Sequence, residues 1–352
     1  MIFETIQISG YGEVCLLNEY IDNVKSAKNC IVSTTDIKPS EVMNYLKDDN
    51  LVVMTGNYTQ SCYIMHYIHH YERELSGGRH NAELKRARIS RICYIARENA
   101  LVGVTGLPGD INFKQWLSDE TGDKLYLLPL RRLERIITDT RRMEEGIEYD
   151  FLQSKIYIAP FVYVPSDSSV PEMYAKYSDV FKNKSVADMG TGTGILAILA
   201  AQSGASRVVA ADINPAAVKC AENNFAKSGF EKVIDVVESN LFESITEKFD
   251  VIIFNAPWVQ GNPKNIYELA IYDSNFLILK RFISDAKKYL NDSGVILLQL
   301  SDISQQTDGS LDILYNQLKL DGFVISDSSF IKRKNRMFGK LEKVYLFEIK
   351  KG

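Results

Sequence analysis

Residues 186–200 read VADMGTGTGILAILA, and the fold of the second half of the chain turns on them. A short apolar run carries Asp188 near its end, Gly190, Gly192 and Gly194 follow at alternate positions, and an apolar stretch of helical length begins at Ile195. Glycines between a strand and a helix permit a tight turn and let a ligand approach the backbone closely. The same order repeats outward from this loop. SVADMG, SRVVAADI, VIDVVES, FDVIIFN and GVILLQLS are short runs rich in Val and Ile, and between them lie the helical stretches ILAILAAQSG, PAAVKCAENNFAKSG and NFLILKRFISDAKKYLND. Alternation of this kind predicts an α/β fold, a parallel Rossmann-like sheet with helices on both faces. The end differs. GFVISDSSFI and EKVYLFEIKK, joined by a short basic segment, predict an antiparallel hairpin at or near one edge.

Residues 1 to about 150 are less regular. NCIVSTTD, NLVVMTG, ALVGVTG and KLYLLPL read as strands, and 39–48, 59–75 and 81–99 as helices, which predicts a smaller α/β or α+β domain. KIYIAPFVYVPSDSSVPEMY, with three prolines and two β-like runs, reads as the bridge into a second domain at 151–352. The composition agrees with two globular domains: 352 residues, 45% hydrophobic and 24% charged. The expected location is cytoplasmic, since no window approaches a membrane span and the N-terminus lacks a basic flank before an apolar core. The five cysteines, odd in number and without a C-x-x-C pair, read as reduced thiols.

Net charge is −4, which argues against a dedicated nucleic-acid binder. Two runs depart from that average. Residues 79–97 carry Arg79, Lys85, Arg86, Arg88, Arg91 and Arg97 against Glu83 alone, and IKRKNRMFGK holds Lys332, Arg333, Lys334, Arg336 and Lys340. If the sixth strand is parallel to its neighbours, this second run overlooks the substrate entrance and attracts an anionic substrate. MHYIHHYERE puts His66, His70 and Glu74 at metal-ligand spacing, but the interleaved Tyr63, Tyr67 and Tyr71 read as an aromatic packing or substrate-facing helix, and no metal is expected.

Eighteen residues past Gly194, at the tip of the next strand, stands Asp212, where an acidic group can accept both hydroxyls of a ribose. The loop is D-x-G-x-G-x-G, with Asp188 beside the turn. A carboxylate there suits a cationic or amino-acid moiety and would repel a pyrophosphate. S-adenosylmethionine carries both a sulfonium and an ammonium group.

With these residues the chain resembles class I S-adenosylmethionine-dependent methyltransferases. More narrowly, SNLFESITEKFDVIIFNAPWVQG is similar to the small-methyltransferase-domain family, which includes release-factor glutamine and ribosomal RNA guanine-N2 methyltransferases; the resemblance covers about residues 158–300. It implies that Asp188, Gly190, Thr191, Gly192 and Gly194 hold the methionine part of the cofactor and that Asp212, next to Ile213, holds the ribose. It also implies that ESNLF holds the adenine, with Asn240 near its amino group and Leu241 and Phe242 as an apolar wall. Many relatives have an aspartate at the position of Asn240. Phe161, Tyr163 and Ser166 are implied as a lid.

Relatives carry N-P-P and an aromatic where this chain has Asn255-Ala256-Pro257-Trp258. A planar amino group is a poor nucleophile because its lone pair is delocalised, so a site must accept hydrogen bonds from its N–H protons as the nitrogen becomes tetrahedral. The Asn255 side-chain oxygen and the carbonyl of residue 256 are the implied acceptors, and Trp258 the surface on which the target stacks. Ala256 keeps the carbonyl but loses proline's fixed φ. Asn255 also borders the cofactor in this reading.

The expected activity is N-methylation of an amino or amide nitrogen in a small metabolite, amino-acid derivative or peptide. Three alternatives remain at this level: methylation of an exocyclic amine of RNA, transfer or cyclisation of the cofactor's aminobutyrate chain with release of methylthioadenosine, and a cofactor-binding module without turnover.

Overall fold

The computed structural model describes residues 4–17, 24–34, 36–74, 88–98, 100–108, 111–116, 123–164, 168–303, 309–335 and 340–352. The chain separates into two units, Met1–Arg141 and Arg142–Gly352.

In the first unit the elements are β1 (Thr5–Ile8), β2 (Gly12–Leu16), β3 (Cys30–Thr34), α1 (Pro39–Lys47), β4 (Leu51–Asn57), α2 (Tyr58–Glu74), β5 (Ile92–Arg97), the two-residue strands β6 (Ala100–Leu101) and β7 (Val104–Thr105), β8 (Leu125–Pro129) and α3 (Leu130–Glu145). The sheet runs in the order β1-β2-β8-β5-β4-β3, with β6 beside β5 and β7 beside β4. It is mixed: β3, β4 and β5 are parallel, β5 and β8 antiparallel. One expectation fails here. The helix expected over 81–99 does not extend through Ile92–Arg97, which is a strand with Ile92 to Ala96 buried. A strand lying between two others with both faces covered is apolar throughout, and such a run carries no period to separate it from a buried helix.

The second unit contains α4 (Ser169–Ala175), β9 (Ser185–Met189), α5 (Ile195–Gln202), β10 (Arg207–Asp212), α6 (Pro215–Ser228), β11 (Ile234–Glu238), β12 (Phe249–Asn255), the short β13 (Val259–Gln260) and β14 (Tyr272–Asp273), α7 (Leu277–Tyr289), β15 (Leu290–Ser301), α8 (Ser310–Asp321), β16 (Phe323–Lys334) and β17 (Leu341–Lys351). Seven strands form one sheet in the order β11-β10-β9-β12-β15-β17-β16. The first five are parallel, and β17 runs antiparallel to both β15 and β16. A parallel sheet that ends in a C-terminal antiparallel hairpin at one edge is the arrangement the sequence predicts. Among the described residues the bridging segment shows a single strand-like pairing, of Ile147 with Ile156, and Tyr149 and Ile156 belong to the second unit's core.

Register explains why the motifs meet. Phe254 pairs with Met189, Ala211 with Met189 on the other side, and Asp212 with Glu238. The glycine loop, Asp212, the turn after Glu238 and Asn255 therefore leave the sheet at one level of its carboxyl edge. β15 contributes Gln299 opposite Asn255, and Ser301 pairs with Val344, which places the end of the hairpin where Lys334 pairs with Leu341 at the same edge.

The loop itself needs glycine most at Gly194, where φ is +82° and an added Cβ would lie 2.5 Å from Cε1 of Phe225. Helix α5 follows it and is buried from Ile195 through Ala201, because it packs on the sheet and on its neighbours together. Asn224, fully buried on α6, ties these parts to the bridging segment. Its Oδ1 accepts from Tyr157 N at 2.9 Å, and its Nδ2 donates to the carbonyls of Tyr157 and Thr193, each at 2.8 Å. Replacing Asn224 by Leu keeps the branching of the side chain but removes its hydrogen bonds to three backbone groups that are buried or half-buried. The variant is expected to lose about 2–4 kcal/mol of stability, read as a lowered midpoint in urea unfolding of the full chain.

Candidate active site

A cavity of about 340 Å³ opens between the glycine loop and the end of β12. One wall is Gly190, Thr191 and Gly192; the next is Asp212 and Ile213 after β10; the third is Asn240 and Leu241 after β11; and the floor is Asn255, Ala256, Pro257 and Trp258. The structure thus gathers into one cavity the expected residues Gly190, Thr191, Gly192, Asp212, Ile213, Asn240, Leu241 and Asn255 to Trp258. Asp188 and Gly194 lie outside the lining.

Asp188 is 1% exposed, and its Oδ2 accepts from Thr191 Oγ1 at 2.6 Å and from Ala197 N at 3.1 Å. It closes the glycine turn and satisfies an amide in the first turn of α5. Burial pushes its carboxyl up to about 7, against the lowering effect of these two donors, and the charge of Asp212 adds to the rise.

Asp212 stands at the cavity instead. Its Oδ2 accepts from Gly192 N and its Oδ1 from Asn214 N, both at 2.9 Å. Gly192 has φ +57°, which points its N–H at the carboxylate. Burial raises the Asp212 pKa, and backbone N–H groups of Asn214, Gly192 and Ile213 oppose that. Asn214 caps α6 through Ala216 N and donates from Nδ2 to the carbonyl of Phe161 at 2.8 Å, holding the bridging segment beside the loop. Of the expected lid, Tyr163 lines the cavity, Phe161 is 41% exposed and Ser166 lies outside the described residues.

Leu241 takes φ +55°, a conformation costly for a branched side chain. Ser239 braces it: the hydroxyl donates to Leu241 O at 2.6 Å and accepts from Ser244 N at 2.9 Å. Asn240 turns its Nδ2 to Glu243 at 3.1 Å. Phe242 is buried against Phe282 and Tyr289, behind the wall.

The side chain of Asn255 is half-buried and makes no hydrogen bond within the described chain. Trp258 is 9% exposed, and Ala256 is buried. The backbone before them is anchored, since Tyr174, fully buried, donates to the Phe254 carbonyl at 3.3 Å.

The segment after Trp258 was missed in the sequence, and no spacing in it signals a site. Parallel pairing of β13 with β14 folds it back so that Ile266, Tyr267 and Ile271 close the cavity. Asp273, 1% exposed, accepts from Ile278 N and Leu279 N at 3.0 Å each, which starts α7 and delivers Ile278 to the lining. Burial raises the Asp273 pKa despite those two donors. Of the C-terminal basic run, Lys332 and Lys334 are exposed, Arg333 lies over Trp258 with Cζ 5.8 Å from the ring centroid, and Arg336 lies outside the described residues. Of the earlier basic run, Arg79, Lys85 and Arg86 likewise lie outside them, and Arg91 is spent in a 2.6 Å pair with Asp49. The side chains of His70 and Glu74 are not among those described, and the described residues hold no cluster fit for a metal.

The chemistry of the lining fits a nucleoside with an uncharged linkage. Among the described residues it offers one carboxylate at the β10 tip, apolar Ile213 and Leu241 beyond it, and no Lys or Arg. A dinucleotide's pyrophosphate would meet Asp212 with no cation to offset it.

Residues 172–309 match the family model for the methyltransferase small domain. A relative in Methanocaldococcus jannaschii, named "Putative protein N5-glutamine methyltransferase", is 35% identical over 187 residues, which are 51% of this chain and 89% of that protein. A ribosomal protein L11 methyltransferase of Desulforamulus reducens is 46% identical over 72 residues, 20% of this chain and 23% of its own length. The solved structure of a ribosomal protein L11 methylase from Lactobacillus delbrueckii subsp. bulgaricus covers 57% of this chain and 87% of its own, with 24% identity and a TM-score of 0.43. The chain belongs to the small-domain family of S-adenosylmethionine-dependent methyltransferases. It is an enzyme whose cofactor is S-adenosylmethionine. No helix among the described residues is long and apolar enough to cross a membrane.

Because folding raises the pKa of Asp188 above its unfolded value, the folded state favours the protonated carboxyl. The stability this contributes is complete below about pH 4 and is lost as pH rises through about 7. Asp188→Asn keeps the acceptor and removes the titration. Relative to wild type, the variant is expected to gain on the order of a few kcal/mol between pH 4.5 and 7.5 in urea unfolding of the cofactor-free protein. Parallel pH profiles for the two proteins would refute it.

Proposed function

We propose that the protein N-methylates an amide or amino nitrogen presented by a peptide, protein or small amino-acid derivative. The observation that carries this reading is Asn255: a half-buried amide at a cavity wall, without a partner in the described chain, one residue from a buried carbonyl and three from a buried indole. The name of the Methanocaldococcus relative supports a side-chain amide of glutamine as the acceptor type.

When bound, S-adenosylmethionine supplies an already activated methyl group, so the chain's residues have two tasks: to hold the cofactor and to orient a weak nucleophile. In this reading Gly190, Thr191 and Gly192 border the methionine portion, Asp212 accepts from the ribose hydroxyls, and Ile213, Asn240 and Leu241 flank the adenine. Asp188 acts at one remove, by keeping the loop in shape. At the acceptor, Asn255 Oδ1 and the Ala256 carbonyl accept the two N–H protons. That draws electron density onto the nitrogen and holds its lone pair toward the donor. Trp258 gives the acceptor plane a surface to stack on. An acceptor that is a neutral amide needs no prior deprotonation, which fits a lining whose one carboxylate already accepts two backbone hydrogen bonds. The first unit, residues 1–141, then serves to select the substrate.

Exposed Lys332 and Lys334 at the carboxyl edge favour a second reading, an exocyclic amine of RNA. Retention of RNA that falls steeply with added salt would support it; no retention at low salt would exclude it.

Two substitutions separate the proposed roles. Asp212→Ala is expected to weaken S-adenosylhomocysteine binding by ~1–3 kcal/mol in calorimetry, as loss of charge-assisted hydrogen bonds would. Asn255→Ala should leave that affinity nearly intact and lower turnover by roughly 10²-fold, the scale of one lost transition-state acceptor. Normal turnover in Asn255→Ala removes the residue from catalysis. A methylthioadenosine product would replace methyl transfer with aminobutyrate chemistry.

A further inference from the structure

Arg333 stands apart from the rest of the basic hairpin. Lys332 and Lys334 on either side of it are exposed, while the Arg333 side chain is 15% exposed and turned inward. Its Nε donates to Glu342 Oε1 at 2.8 Å across the hairpin, from the position paired with it in the strand register. Glu342 is buried to 0% of its side chain and receives two further hydrogen bonds, from Ser301 Oγ at 2.5 Å and Asn335 Nδ2 at 3.0 Å. Ser301 ends β15 and also accepts from Ile303 N. The carboxylate is therefore fixed to the carboxyl edge of the sheet, and the guanidinium is fixed to the carboxylate.

A buried ion pair is weak evidence of stabilisation, because desolvation offsets most of its Coulombic gain. Its retention asks for another use, and the geometry supplies one. The guanidinium of this pair lies over the ring of Trp258, 5.8 Å from its centroid, while Trp258 lines the cavity. Arginine is suited to this. Its planar cation stacks on an aromatic face while an edge of its fork is held by a carboxylate.

We propose that Arg333, anchored by Glu342, is a positioning residue that fixes the indole of Trp258 where the acceptor is stacked. The kinetic part rests on the acceptor reading above; the positioning part does not. Without Arg333 the ring keeps its core packing but loses the cation held over one of its faces. The acceptor nitrogen then spends less time in line with the methyl group. The device also couples the C-terminal hairpin, whose described residues contribute nothing to the lining, to the chemistry on β12.

The test uses the full chain with Trp116→Phe, which leaves Trp258 as the single tryptophan of the two in the sequence. Arg333→Met removes the cation; Arg333→Lys keeps a cation without the planar fork. Because Arg333→Met leaves a buried carboxylate unpaired, the double variant Arg333→Met with Glu342→Gln is measured beside it. In the free enzyme, acrylamide quenching of Trp258 is expected to rise about twofold in Arg333→Met and in the double variant, and to stay near the parent in Arg333→Lys. With S-adenosylmethionine and a short peptide containing an internal glutamine, kcat should fall roughly tenfold in the two Met variants. Arg333→Lys should recover most of it, while S-adenosylhomocysteine affinity stays within about twofold throughout. Unchanged Trp258 quenching in the folded double variant overturns the proposal, and so does a loss of turnover matched by an equal loss of S-adenosylhomocysteine affinity. A parent enzyme that leaves the peptide unmethylated counts against the acceptor reading, and the quenching comparison then decides the positioning of Trp258 alone.

Discussion

Two carboxylates hold one loop, and the remainder of the site depends on that arrangement. Asp188 grips the glycine turn from within, through Thr191 and Ala197, and Asp212 grips it from the neighbouring strand, through Gly192 N. Asp188 is buried and Asp212 partly so, and both have raised pKa values with burial as the first cause. The protein bears this cost because a loop of left-handed glycines has little rigidity of its own. A carboxylate at each side restricts it to one conformation.

From there the site is assembled by register. In a parallel sheet neighbouring strands end together, so residues 190, 212, 240 and 255, far apart in the chain, meet at one edge without any direct contact being required to recruit them. The hairpin extends the same edge by running antiparallel. That reverses direction twice and returns Arg333 to the level of Trp258. Two structural carboxylates serve similar ends at different places: Asp273 initiates α7 behind the cavity, and Glu342 holds Arg333 beside it. Each is a buried charge with several donors, which is the form in which a buried charge is tolerable.

Most of the cavity was legible in the chain because its residues sit at strand ends, where a continuous apolar run gives way to Gly, Asp or Asn, and such transitions are local. What was less legible has a common cause. β5 is apolar on both faces, so Ile92–Arg97 carries no period that distinguishes strand from helix. Asp188 and Asp212 are the same residue type at comparable strand ends, yet one faces the helix and the other the cavity. Ile266, Tyr267 and Ile271 reach the cavity through the two-residue pairing of β13 with β14, too short to leave a pattern. Arg333 looked like one cation among five in a basic run.

By itself the sequence determined the alternation of strand and helix, the family, the cofactor class and the positions at which strands end, because each is set by the order of residue types along the backbone. Tertiary structure alone decided which of two aspartates meets the cavity, which basic side chain turns inward and which distant segment closes the wall. Those outcomes follow from strand register and from the competition among buried charges for a limited number of N–H donors, and both are properties of segments brought together only by folding.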